Sequence, residues 1–163
     1  MKKIILLVFI TFVFFMLDNT LMPFIAIKGY YPSLLFLFCI CYSIVNGSWE
    51  GMWLGIFCGI LQDIFFTNAF GINSLTTMLM CVLAGIVGKN LFKERKIIPI
   101  VTTFFITILK GFFVFTILYT MGQYTSLQGV FYIALYTMII SIVMYKWVYN
   151  LCQKKYMERK WRF

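Results

Sequence analysis

The chain has 163 residues, 63% of them hydrophobic and 20% aromatic, and only 12% are charged, about half the share of a soluble globular protein. So few charges cannot cover so much apolar surface, which excludes a water-soluble fold and with it a soluble enzyme. At about 20 residues per crossing, six membrane crossings use about 120 residues and leave about 40 for all loops and tails, too few for a folded domain outside the bilayer.

The first apolar run follows Met1-Lys2-Lys3, carries Asp18 and ends at Pro23 without a small-residue cleavage site, so it reads as an uncleaved span over residues 4–22. The second covers 32–45 and opens on Pro32, placed in the first helical turn where a missing N–H matters least. Asn46-Gly47-Ser48 makes a tight turn into the third span, 49–66. Gly71, flanked by Asn68 and Asn73, supplies a positive φ in the turn before the fourth span, 72–91. A basic loop leads to the fifth span, 97–120, and a polar stretch to the sixth, 129–151; residues 152–163 form a basic tail. The reading is an all-α bundle of six transmembrane helices in one domain. Lipid leaves backbone groups no water to bond, and the period-2 alternation of a barrel is absent.

Charge places the termini. With the N-terminus inside, the inner loops and ends hold eleven of the fourteen basic residues: Lys2, Lys3, Lys89, Lys93, Arg95, Lys96, Lys154, Lys155, Arg159, Lys160 and Arg162. Lys28 alone falls outside, so six spans with both termini inside is the orientation expected. The net charge of +9 then reads as contact with anionic lipids of the inner leaflet or a cytosolic protein surface, and not as nucleic-acid binding.

Asp18 lies about 21 Å along its helix from Ile4, Asp63 the same rise from Trp49, and Lys110 about 20 Å from Ile97. The three reach one depth in the outer half of the bilayer. Ionisable groups there are expensive and usually paired within protein, so an ion-paired cluster of Lys110 with Asp63, Asp18 or both is expected, the alternative being that each snorkels outward alone. Glu50 sits at the inner interface and asks for no special role, and Lys146 is close enough to the inner end to snorkel. Gly51, Gly55, Gly59 and Asp63 recur every four residues and stay on one side of the third helix. Such a stripe admits a close helix, from within the chain or from a partner, and the third span is expected at the centre of the bundle.

Chemistry is sparse. No histidine is present, which removes Ser-His-Asp and Cys-His nucleophile systems and His-ligated zinc. Cys39, Cys41, Cys58, Cys81 and Cys152 show neither metal spacing nor a disulfide framework, and the first four sit within apolar runs as small hydrophobes. No catalytic residue, metal or cofactor is expected.

The stretch from Pro32 to Gly88 resembles the MreD family. Tyr31-Pro32-Ser33-Leu34-Leu35 heads the second span, Gly51, Gly55, Gly59 and Asp63 mark a Gly-rich third span ending in Asp, and Gly71-Ile72-Asn73 stands at the turn before the fourth. Phe70 precedes Gly71 where the family has a Leu-Gly-like turn. The resemblance implies a multi-pass protein of the bacterial cytoplasmic (inner) membrane that acts as a scaffold of the cell-elongation machinery and of lateral peptidoglycan synthesis. Its implied partner is MreC, a protein with one membrane helix; more remotely it implies the MreB filament and the RodA polymerase with its transpeptidase. A homodimer is equally open. The rival reading is the substrate-binding component of an energy-coupling-factor vitamin transporter, whose fold is similar. Those components dock through small residues of the first span, and here that span has neither Gly nor Ala between Ile4 and Met22.

Overall fold

The computed structural model describes residues 2–26, 31–65, 71–91, 98–120, 122 and 127–153. Six α-helices and one short 3-10 turn make up these residues, with no strand among them: α1 (Lys2–Thr20), α2 (Leu34–Asn46), α3 (Ser48–Phe65), α4 (Ile72–Leu91), α5 (Ile98–Thr120) and α6 (Leu127–Cys152). The all-α reading holds, and the expected limits of α4 match those observed.

The other helices differ from their expected limits by one or two residues at one or both ends, and two of these shifts have a plain physical cause. The first helix stops at Thr20 and not at residue 22, because Pro23 disfavours helical backbone just before it and opens the 3-10 turn Met22–Ile25. The second begins at Leu34. Ser33 takes extended backbone (ψ 111°) and its Oγ accepts a hydrogen bond from Phe36 N at 3.2 Å, so the cap, not Pro32, sets the start. Pro32 is buried just outside the helix. Gly47, at φ +98°, alone joins α2 to α3.

α2, and not α3, is the central helix. Every residue from Leu35 to Ile44 is buried, and α2 touches all five other helices. A helix apolar on every side has no face to give to solvent, so it goes to the core. α3 is two-sided instead: Gly51, Gly55, Gly59, Gln62 and Asp63 face inward while Trp49, Trp53, Phe57, Ile60 and Ile64 are exposed.

The molecule is apolar outside and partly polar inside. Phe9, Phe105, Phe131 and Val143 are exposed, whereas Thr11, Thr76, Thr107 and Thr137 are buried. Each buried hydroxyl donates to the carbonyl one turn back, at 2.7 Å, so none lacks a partner. That arrangement suits lipid on the outside. Four helices, α1, α4, α5 and α6, are long and apolar enough to cross a membrane. α2, with 13 residues, is about 20 Å long and falls short of the hydrocarbon core by itself.

Candidate functional site

α1 and α3 end where α2 and α4 begin, and the carboxylates sit at these junctions. A helix start exposes backbone N–H groups with no partner and a partial positive charge. Asp18 meets that of α2: Leu34 N donates to Oδ1 at 2.6 Å, Leu35 N to Oδ2 at 3.0 Å, and Ser33 Oγ to Oδ2 at 2.8 Å. Gln62 Nε2 donates to Ser33 Oγ at 2.7 Å, which ties α3 into the same group. Asp63 serves α4 in the same way, accepting from Asn73 N at 3.0 Å and Ser74 N at 2.9 Å. Both carboxylates are buried.

The glycine stripe explains how Asp63 gets there. A Cβ on Gly51 would strike Ser43 of α2, one on Gly55 would lie 3.0 Å from Cys81 Sγ and 3.2 Å from Met78 Cα, and one on Gly59 would strike the backbone of Ser74. The missing Cβ atoms let α3 and α4 approach until the next position in the series reaches the α4 start. That start needs outside help, because Gly71 (φ +97°) stands where a capping side chain would be, with nothing within 4 Å of its absent Cβ. The stripe is thus filled from within the chain by α2 and α4. Gly85 and Gly88 complete the packing from α4, against the backbone of Gly47–Ser48 and the Ile44 carbonyl.

Lys110 does not pair with either carboxylate. Its Nζ donates to Thr77 Oγ1 at 3.1 Å and lies 4.0 Å from the centroid of the Phe36 ring. Among the described residues the one ion pair is Lys3–Glu50. The expected Asp18–Asp63–Lys110 cluster is therefore corrected: backbone N–H groups already occupy both oxygens of each carboxylate, and the ammonium is left to a hydroxyl and a ring face. Beside it opens a cavity of about 440 Å³, lined by Tyr31, Asn73, Thr107 and Lys110 and walled by apolar groups of α2, α5 and α6.

The opposite end holds a polar group that the sequence did not announce. Lys3 Nζ and Tyr42 OH each donate to Glu50 Oε2 at 2.7 Å, joining α1, α2 and α3. Glu50, expected without a role, is the hinge of this group. Partners 47 residues apart leave no local pattern to read. Ser33 was more legible: a serine just before an apolar run is a helix-start signal. Lys93, Arg95, Lys96, Lys154, Lys155, Arg159, Lys160 and Arg162 lie outside the described residues. The five cysteines are free and buried, and no group of three or more Cys, Asp or Glu that could hold a metal occurs among the described residues.

Comparison with known proteins gives one family. The family model described as MreD, rod shape-determining protein MreD, matches residues 1–155. No curated protein matches the sequence. No solved structure matches it either. The family match takes in the capped helix ends, the glycine stripe and all six helices: the chain belongs to the MreD family of rod shape-determining membrane proteins.

Proposed function

We propose that the protein is a non-catalytic scaffold of the rod-shape machinery in the bacterial cytoplasmic membrane, and that it holds MreC through that protein's single membrane helix. The observation that carries the reading is the family match over residues 1–155. The geometry supports it: Asp18, Asp63, Gln62 and Ser33, the polar side chains with most chemical scope, are all engaged in fastening helix ends. All six helices lie in the membrane in this reading, α2 screened from lipid by its neighbours. The Lys3–Glu50 end faces the cytoplasm and the Asp18–Asp63 end faces outward, as the distribution of basic residues favours. The basic loop (Lys93, Arg95, Lys96) and tail (Lys154, Lys155, Arg159, Lys160, Arg162) rest on anionic lipids or on the MreB filament, and RodA with its transpeptidase is reached through MreC.

Since α2 and α4 fill the glycine stripe, the partner helix uses the outer apolar surface. Depletion in the source cells, with pull-down of the tagged protein in mild detergent, tests the proposal. Rounded cells and recovery of a single-span partner are expected. Normal shape, with recovery of paired ATPases and a large membrane coupling protein, would overturn it in favour of vitamin transport.

A further inference from the structure

α1 and α3 are joined by the Lys3–Glu50 ion pair and again, about 20 Å further along, by Phe15 and Phe65, whose ring centroids lie 4.8 Å apart. Between these joints opens a groove of about 450 Å³. Leu7 and Val8 form one wall, Trp53, Leu54 and Phe57 the other, and Lys3, Tyr42 and Glu50 lie at its polar end. That end has bonding capacity left. Lys3 and Tyr42 both donate to Glu50 Oε2, so Glu50 Oε1 accepts no hydrogen bond among the described residues. The Lys3 ammonium has three donors and uses one. Both side chains are partly exposed and line the groove. A mostly apolar concavity with a few convergent polar groups has the make-up of a ligand site.

We propose that this groove holds one zwitterionic phospholipid with a primary-ammonium head, its phosphate on Lys3, its ammonium on Glu50 Oε1 and one acyl chain between α1 and α3. Charge complementarity chooses the head. A free acceptor beside free donors matches a group that carries both an ammonium and a phosphate. An anionic head would satisfy Lys3 but face the carboxylate, and a choline head has no N–H to give Oε1. The direction also fits. Lys3 and Glu50 stand in the first turns of their helices, whereas Val8 and Phe57 lie deeper, so the head sits at the membrane surface and the chain runs toward the midplane. Trp49 stands beside Glu50, at the level that aromatic rings take among headgroups. In the orientation proposed above, this is the inner leaflet. Length chooses a lipid over a protein. A partner's membrane helix, about 10 Å thick and about 30 Å long, does not fit a groove about 12 Å long from Trp49 to Phe57 that Phe15 and Phe65 close.

Native mass spectrometry of the full chain, released from nanodiscs of equal parts phosphatidylethanolamine, phosphatidylglycerol and phosphatidylcholine, tests this. The expected result is one phosphatidylethanolamine retained per chain in preference to the other two. In Glu50→Gln the amide oxygen stays with Lys3 and Tyr42 and the NH2 faces the lipid ammonium, so retention should fall about tenfold, the loss of one hydrogen bond to a charged group. Val8→Trp, which fills the groove and keeps both charges, should lower it as far. Lys146→Met, an exposed lysine of α6, is expected to retain lipid as the parent does. Circular dichroism checks that each variant is folded, and either groove variant decides the matter if the other is not. Equal retention in a folded groove variant and the parent, or equal retention of phosphatidylglycerol or phosphatidylcholine by the parent, would overturn the proposal. So would loss of the single-span partner from Val8→Trp with lipid retention unchanged, which would give the groove to a helix.

Discussion

Replacing Asp63 by Leu separates two accounts of this carboxylate. If it paired with Lys110, the change would strand a buried ammonium, and Lys110→Met would rescue it. In the structure the change strands Asn73 N and Ser74 N at the start of α4. Each buried N–H left without an acceptor costs about 1–3 kcal/mol, and the lost charge at the helix start adds about 1 kcal/mol. Gly71 offers no side chain to replace it. The sum is a destabilisation of about 3–7 kcal/mol, with about half of that for Asp63→Asn, which keeps one acceptor oxygen. Unfolding by SDS titration in mixed micelles, followed by tryptophan fluorescence and circular dichroism, measures both. The decisive sample is Asp63→Leu combined with Lys110→Met. Additive costs, within about 0.5 kcal/mol, are expected for groups that share no bond. If Lys110→Met stabilises Asp63→Leu by about 2 kcal/mol or more beyond its effect in the parent, the scale of relieving a charge newly left unpaired, the capping account is refuted.

The same unfolding assay checks the remaining expectations. Gly59→Ala should cost about 1–3 kcal/mol, because its Cβ meets the Ser74 backbone, whereas Gly55→Ala should cost less, because the Cys81 side chain can yield; equal costs would count against this ordering. Gly71→Ala should lose about 1 kcal/mol through backbone conformation alone, and Gly71→Asn less, since nothing crowds the site. Glu50→Gln removes an ion pair whose side chains are 24% and 23% exposed but leaves the Tyr42 hydroxyl an acceptor, so a loss below about 1 kcal/mol is expected, and a loss above 2 kcal/mol would show a stronger pair than the geometry implies.

Hydropathy made the six helices legible, because a long apolar run bounded by Gly, Pro or charge has few other readings. The stripe at Gly51, Gly55 and Gly59 was legible too, since its period is that of a helix face. What it packs against was not: the sequence holds no sign that Ser43, Cys81 and Ser74 would meet those three positions. The depth of Asp18 and Asp63 followed from helical rise, and so did their shared end of the bundle. Their partners did not. Charge reasoning looks for an opposite charge and passes over backbone N–H groups, which carry no letter in a sequence. α3 was expected at the centre on its glycines and acid, yet uniform hydrophobicity, the plainer signal, belonged to α2.

The burial of α2 has a consequence for how the chain is made. Phe38, Cys41 and Tyr42 pack in one cluster with Met144, Val148 and Cys152, and Asn46 Nδ2 donates to Cys152 Sγ at 3.3 Å. The second helix to leave the ribosome is thus closed over by the last. Until α6 arrives, this short apolar helix, linked to α3 by one glycine, has one side uncovered. Chains cut short before α6 leave that side uncovered. The order of synthesis thus leaves the core around α2 incomplete until the sixth helix is in place.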